Sequence, residues 1–170
     1  MLIKEIIEAT GGTLLSGNIN DDIHGFTQDT RQIHQGDMYI PLIGENNDGH
    51  QFIEQAFEKG ARAVITSQVI DYPKKNVILV PDTLQALTDM AAYLREHRHV
   101  KVVGITGSVG KTSTKDMIYA VVSTQYHALK TLGNYNNHIG LPLTILRHRD
   151  EDVMVLEMGM NHLGEIRHLT

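Results

Sequence analysis

The sequence contains no cysteine, so disulfides and thiolate metal sites are excluded. No uninterrupted apolar stretch approaches the roughly 20 residues that a membrane-spanning helix needs. A secretory signal is also missing. The opening Met-Leu-Ile-Lys-Glu-Ile-Ile-Glu8 reads as an acidic amphipathic helix, whereas a signal peptide wants a basic start and a longer apolar core. Positive charge is in deficit: 15 Lys and Arg against 20 Asp and Glu give a net charge of −5, which argues against non-specific nucleic-acid binding. There is no internal repeat and no low-complexity tract. These absences together describe a soluble, cytoplasmic protein. Histidine is abundant, with ten residues, but they are scattered. His97 and His99 stand two apart and do not share a helix face, so solvated or hydrogen-bonded roles are expected rather than a metal site.

What is present centres on Lys101-Val-Val-Gly-Ile-Thr-Gly-Ser-Val-Gly-Lys-Thr-Ser113. The apolar run 102–105 reads as a buried strand and breaks into the turn Gly107-Ser-Val-Gly110. Lys111-Thr112 then opens a helix whose apolar face is expected to carry Met117, Ile118, Val121 and Val122. A strand, a glycine turn and a helix N-terminus make an anion cradle of backbone N–H groups. In it, Gly107, Ser108, Val109, Gly110, Lys111, Thr112 and Ser113 would surround the phosphates of a nucleoside triphosphate. Lys111 would reach the β- and γ-phosphates, and the Thr112 hydroxyl would hold Mg²⁺. The spacing departs from G-x-x-x-x-G-K-[ST], because Ile105 stands where the first glycine belongs. The glycines fall at Gly104, Gly107 and Gly110 instead.

The remaining periodicities indicate an α/β protein. A helix over 2–7 stops at Gly11-Gly12, and short strands follow near 13–15, 23–27 and 38–42. Asp48 with Gln51, and Asp82 with Gln85, have capping-box spacing. Phe52, Ile53, Ala56 and Phe57 form a helical stripe ended by Gly60. Strands are expected at 63–66 and 77–80, and a helix carrying Leu84, Leu87, Met90, Ala91 and Leu94 runs to about residue 97. A polar stretch at 95–99 suggests a boundary. Residues 1–99 then form a small α/β module, and residues 100–170 the start of a parallel-sheet nucleotide domain. In that second part we expect strands at 127–130 and 153–156, a helix over 141–146, and the first turns of another helix at 164–170. Two or three strands are too few for a nucleotide-binding sheet of roughly five or more, so the chain reads as part of a longer enzyme.

Several side chains could serve the phosphate site. Glu157 ends an apolar strand at the edge that faces the ligand crevice in parallel sheets. It is either a Mg²⁺ ligand beside Thr112 or a solvated strand-end carboxylate. Asn134, Asn136 and Asn137 could orient phosphate or acyl oxygens, or serve only as turn residues. Lys115 and Lys130 could add positive potential, although solvated lysines are the simpler expectation. In the first module, Arg31 within Thr27-Gln-Asp-Thr-Arg31 has the fork that fits a diphosphate; a surface salt bridge is the competing role.

Taken in order, these segments resemble the Mur ligases of bacterial cell-wall synthesis. Gly104-Ile-Thr-Gly-Ser-Val-Gly-Lys-Thr112 is similar to that family's Gly-x-Thr-Gly-x-x-Gly-Lys-Thr/Ser loop, which accounts for Ile105. Thr131-Leu-Gly-Asn-Tyr-Asn-Asn-His-Ile-Gly-Leu-Pro142 resembles a T-x-G-N-x-N-N-x-I-G-x-P stretch, and residues 157–166 an E-x-G-x-x-x-x-G-E-I stretch. Residues 27–31, Gly36-Asp37 and Gly44-Glu-Asn-Asn-Asp-Gly-His50 resemble segments of the uridine-nucleotide domain. The resemblance implies ATP- and Mg²⁺-dependent joining of D-alanyl-D-alanine to a UDP-N-acetylmuramoyl-tripeptide through an acyl phosphate. It implies Lys111 and Glu157 as catalytic groups, Thr112 and Glu157 at the metal, and Asp29, Thr30, Arg31, Asn134 and Asn137 toward the substrate. It also implies that the 170-residue chain makes no product alone. Other Mur ligases and folylpolyglutamate synthases share the phosphate loop, but the 134–137 and 45–50 segments argue against them. The alternative from another class is a nucleotide-binding regulatory module without ligase activity.

Overall fold

The computed structural model describes residues 1–45 and 47–159. The chain divides into two compact units, Met1–Met90 and the part from Ala91 onward. Each is α/β.

In the first unit, helix α1 (Ile3–Thr10) buries Ile3 and Ile6. Strand β1 (Thr13–Ser16) and the two-residue strands β2 (Phe26–Thr27) and β3 (Met38–Tyr39) follow. Next come helix α2 (Ile53–Glu58) and strands β4 (Ala63–Thr66) and β5 (Asn76–Leu79). The sheet order is β1-β5-β4-β3-β2. β1 runs antiparallel to β5, and the other pairs are parallel. All four residues of β4 are buried, as expected of a parallel strand covered on both faces. Tyr39, Val64 and Val77 pack with Ile53, Ala56, Phe57 and Ala61. Phe52 does not join its expected stripe. It sits in the 3-10 turn Gly49–Phe52 ahead of α2, 39% exposed.

Neither capping box closes as spaced. The Asp48 carboxylate accepts from the His50 N–H, while the Gln51 amide bonds the Asp48 carbonyl rather than its N–H. Asp82 accepts from the N–H groups of Leu84 and Gln85 at the start of helix α3 (Thr83–His97). Gln85 instead reaches forward to Asp89. On α3, Leu87, Met90, Ala91 and Leu94 are buried as the period requires.

The second unit holds strand β6 (Lys101–Ile105), helix α4 (Lys111–Val122), strand β7 (Ala128–Lys130), helix α5 (Gly140–Ile145) and strand β8 (Val153–Glu157). The three strands are parallel in the order β6-β8-β7, and all of β8 is buried. The expected apolar face of α4 is corrected. Met117 and Val121 are each 71% exposed, whereas Ile118, Tyr119 and Val122 pack on Ile105, Val153 and Val155. The inward stripe is therefore 115, 118, 119 and 122, and its first member is a buried lysine. Reading apolar pairs rotated the helix because that position carries a charge. The expected helix at 164–170 lies outside the described residues. Among the described residues, no helix is long and apolar enough to cross a membrane.

Asn76 shows how the first sheet is tied to its loops. It is 4% exposed. Its amide donates to Asp21 and to the Arg62 carbonyl, and its oxygen accepts from the Asn18 N–H. Asn76→Ala removes these three part-buried hydrogen bonds and should cost about 1–3 kcal/mol of stability. Urea denaturation of the full-length protein measures it, and an unchanged midpoint would show that the network is dispensable.

Candidate functional site

β6 ends at Ile105 and α4 begins at Lys111, so the phosphate loop is the segment 106–110. Ile105 is 8% exposed and packs with Val153 and Val155. The position that other phosphate loops give to glycine is thus the one buried residue of β6; the strand expected to be buried over 102–105 is otherwise exposed or half-buried, with Val102 39% exposed. Gly110 caps α4 in the left-handed region at φ 76°, and Gly107 has φ 151°. Both are conformations that a side chain would strain. The Lys111 ammonium folds back over the loop and donates to the Gly107 carbonyl at 2.8 Å. Val109 stands 89% exposed at the loop tip.

Glu157 pairs in register with Ile105, so its carboxylate is level with the start of the loop. It is 2% exposed, which excludes the solvated strand-end role. Its Oε1 accepts from the Thr112 hydroxyl at 3.2 Å and from the Asn136 amide at 2.9 Å. Its backbone N–H donates to the Thr131 hydroxyl at 3.0 Å. Its Oε2 is buried without a hydrogen-bond partner. A buried carboxylate oxygen facing a hydroxyl is the hard-oxygen donor set that Mg²⁺ takes, so Glu157 and Thr112 fit that ion. Among the described residues no group of three or more His, Cys, Asp or Glu gathers as a metal cage.

Two contributors were weighed in the sequence without being singled out. Lys115, expected to be solvated, is 2% exposed, with its ammonium 3.8 Å from Glu157 Oε2. The available signal was its position one helical turn after Lys111, on the same face. Asn136, rather than Asn134 or Asn137, touches Glu157. The Asn137 oxygen instead accepts from the N–H groups of Ile139 and Gly140 at the start of α5, and the Asn134 carbonyl accepts from the Asn136 N–H. Nothing in the spacing of three clustered asparagines distinguishes these roles. Of residues 157–166, only those up to Gly159 lie within the described residues.

In the first unit, Asp29 and Arg31 face each other. The Arg31 Nε and Nη2 donate to the Asp29 carboxylate at 2.9 and 2.7 Å, with the Arg31 side chain 85% exposed. The Arg31 side chain, then its backbone N–H, holds the Asp29 carboxyl below its ordinary value. The Thr30 hydroxyl donates to Gln55. Residues 48–50 are fixed more firmly. Buried His50 accepts the Ser67 N–H at Nε2, which leaves Nδ1 to donate to Asp48. Asp48 also receives the Gln68 amide. The Tyr39 phenol, pushed up to about 12 mainly by burial, donates to the Gly49 carbonyl.

The backbone N–H of His50, and then its ring, lower the Asp48 carboxyl from 3.8. A depressed carboxylate stabilises the fold above its unfolded value, and that contribution is lost as pH falls through the folded one. Melting temperature should therefore drop as pH falls below 3.8, and Asp48→Asn should flatten that part of the profile. Identical acid limbs for the two proteins would contradict the role given to Asp48.

Two family models match the chain: one described as "Mur ligase family, catalytic domain" over residues 22–95, and "Mur ligase middle domain" over residues 105–170. The chain is 52% identical over 169 residues to the UDP-N-acetylmuramoyl-tripeptide–D-alanyl-D-alanine ligase of Bacillus subtilis (strain 168), covering 96% of this chain and 37% of the relative. It is 39% identical over 165 residues to that of Escherichia coli (strain K12), covering 96% and 36%. A crystal structure of MurF from Acinetobacter baumannii aligns with TM-score 0.90 at 35% identity, over 99% of this chain and 37% of that one. MurF ligase from Thermotoga maritima in complex with ADP aligns with TM-score 0.76 at 34% identity, over 86% and 34%. The chain thus spans a little over a third of the length of the relatives it matches.

Proposed function

The chain belongs to the Mur ligase family, and on that premise we propose that it carries the UDP-nucleotide module (residues 1–99) and the opening part of the ATPase domain (residues 100–170) of an ATP-dependent amide ligase. The reaction adds D-alanyl-D-alanine to UDP-N-acetylmuramoyl-tripeptide, a step of peptidoglycan precursor synthesis that belongs in the bacterial cytoplasm. The observation that carries this reading is the buried Glu157 carboxylate on the Thr112 hydroxyl at the mouth of the phosphate loop. That is the constellation a nucleotide-dependent phosphoryl transfer needs, and the similarity to ligases disfavours a regulatory module.

A carboxylate oxygen of the tripeptide attacks the γ-phosphorus of ATP, the bond to the leaving ADP oxygen breaks, and an acyl phosphate forms. The amine of D-alanyl-D-alanine then attacks the acyl carbon and loses a proton, and phosphate leaves. Such a transfer depends on positioning and charge neutralisation more than on covalent help from the protein. The Lys111 ammonium would leave the Gly107 carbonyl for the β/γ-phosphates, while the loop from Gly107 through Ser108, Val109 and Gly110 to Ser113 offers backbone N–H groups. Mg²⁺, held by Thr112 and Glu157, would supply further neutralisation of phosphate charge. Asn134 and Asn137 would orient phosphate or acyl oxygens. Arg31, positioned by Asp29 beside Thr30, would exchange its carboxylate partner for the diphosphate of the UDP group.

Lys111→Ala in the full-length enzyme should lower ligation by at least about 10²–10³-fold with circular dichroism unchanged. Near-normal turnover would remove the nucleotide-site assignment. Arg31→Ala should raise KM for the UDP-linked substrate by about tenfold or more while leaving KM for ATP alone. Equal effects on both substrates would place Arg31 elsewhere in the mechanism.

A further inference from the structure

Lys115 has no part in the reaction as described so far, yet its charge is closely confined. Its side chain is 3% exposed, and the ammonium lies between two carboxylates, 3.8 Å from Glu157 Oε2 and 3.6 Å from Asp116 Oδ1. The two partners differ. Glu157 is buried, and the oxygen it turns toward Lys115 has no hydrogen bond. Asp116 is about half exposed and already takes the Lys130 ammonium at 2.7 Å.

A carboxylate removed from water needs a compensating cation. At Glu157 that cation is Lys115. A divalent ion taking the same oxygen would bring a second positive centre within a few ångströms of the ammonium, and like charges at that separation repel strongly away from bulk water. A lysine on its flexible four-carbon stem can relieve this by shifting to the carboxylate on its other side, which is no farther away. We propose that Lys115 is a positioning residue of the nucleotide site: its ammonium stands in for the divalent cation at Glu157 and moves to Asp116 when the cation enters. The inference rests on the reading of Glu157 as a cation ligand.

Neutralising the two sides of Lys115 should act in opposite directions. Lys115→Met removes the competitor and should tighten divalent binding about tenfold, while lowering the cation-free melting temperature. Asp116→Asn removes the alternative partner, pins Lys115 on Glu157 and should weaken binding by about threefold or more. Asp116 is exposed enough for this variant to fold even if Lys115→Met does not. The measurement is a Mn²⁺ titration, followed by electron paramagnetic resonance, of the full-length protein holding the β,γ-imido analogue of ATP. Glu157→Gln is run beside it. Opposite shifts in the two variants, with weaker binding in Glu157→Gln, support the exchange. Unchanged or tighter binding in Asp116→Asn overturns it, as does unchanged or weaker binding in a folded Lys115→Met. If only Glu157→Gln weakens binding, the ligand assignment stands and the role of Lys115 falls. If Glu157→Gln leaves binding intact, both fall.

Discussion

Among the described residues, the second unit is organised around one buried carboxylate. Glu157 is held at the end of β8 by groups from three directions: the Thr112 hydroxyl of α4, the Asn136 amide from the loop after β7, and the Thr131 hydroxyl on its own N–H. Each contact fixes a segment that would otherwise be free to choose its path. The Asn136 carbonyl, which accepts from the Gly159 N–H at 2.7 Å, closes the chain on the far side of the glutamate. A charge at this depth costs several kcal/mol unless paired and hydrogen-bonded. The site can therefore exist only if helix, loop and strand all arrive in register, and chemistry and fold impose one constraint.

In the first unit, the turn before α2 is anchored without burying the carboxylate that takes part. The Asp48–His50–Ser67 chain joins the 3-10 turn before α2 to the residue following β4. Its charged end, Asp48, stays 43% exposed, and only the imidazole is buried. The imidazole satisfies both of its nitrogens there, so the turn carrying residues 48–50 is anchored at low desolvation cost. Arg31 and Asp29, by contrast, form an exposed pair of the kind that adds little to stability and gives up its partner readily. That is a suitable property for a group expected to meet a diphosphate.

Most of the fold was legible because its signals are local. β6, α4 and β8 follow from apolar runs and from glycine punctuation at 107 and 110. The burial of Leu87, Met90, Ala91 and Leu94 follows from a 3.6-residue period. The errors share one cause. Capping boxes, the face of α4 and the choice among three asparagines all depend on which neighbour a polar group finds in three dimensions. Gln85 had Asp89 available and took it. Asn137 was drawn into starting α5, leaving Asn136 for Glu157. Lys115 looked like a surface lysine because its counter-charge lies 42 positions later in the chain.

Ile105 shows how the loop and the carboxylate depend on each other. With glycine there, the strand would give up a buried side chain that packs on Val153 and Val155, and β6 would fray one residue earlier. Its last pairing, Ile105 with Glu157, is the one that sets the carboxylate level with the loop. Ending the sheet at Ile105 leaves only 106–110 to turn the chain into α4, and glycines at 107 and 110 make so short a turn possible. The shifted glycine spacing is therefore the geometric condition for bringing Thr112 within hydrogen-bond reach of Glu157, and with it the oxygen pair on which the proposed chemistry depends.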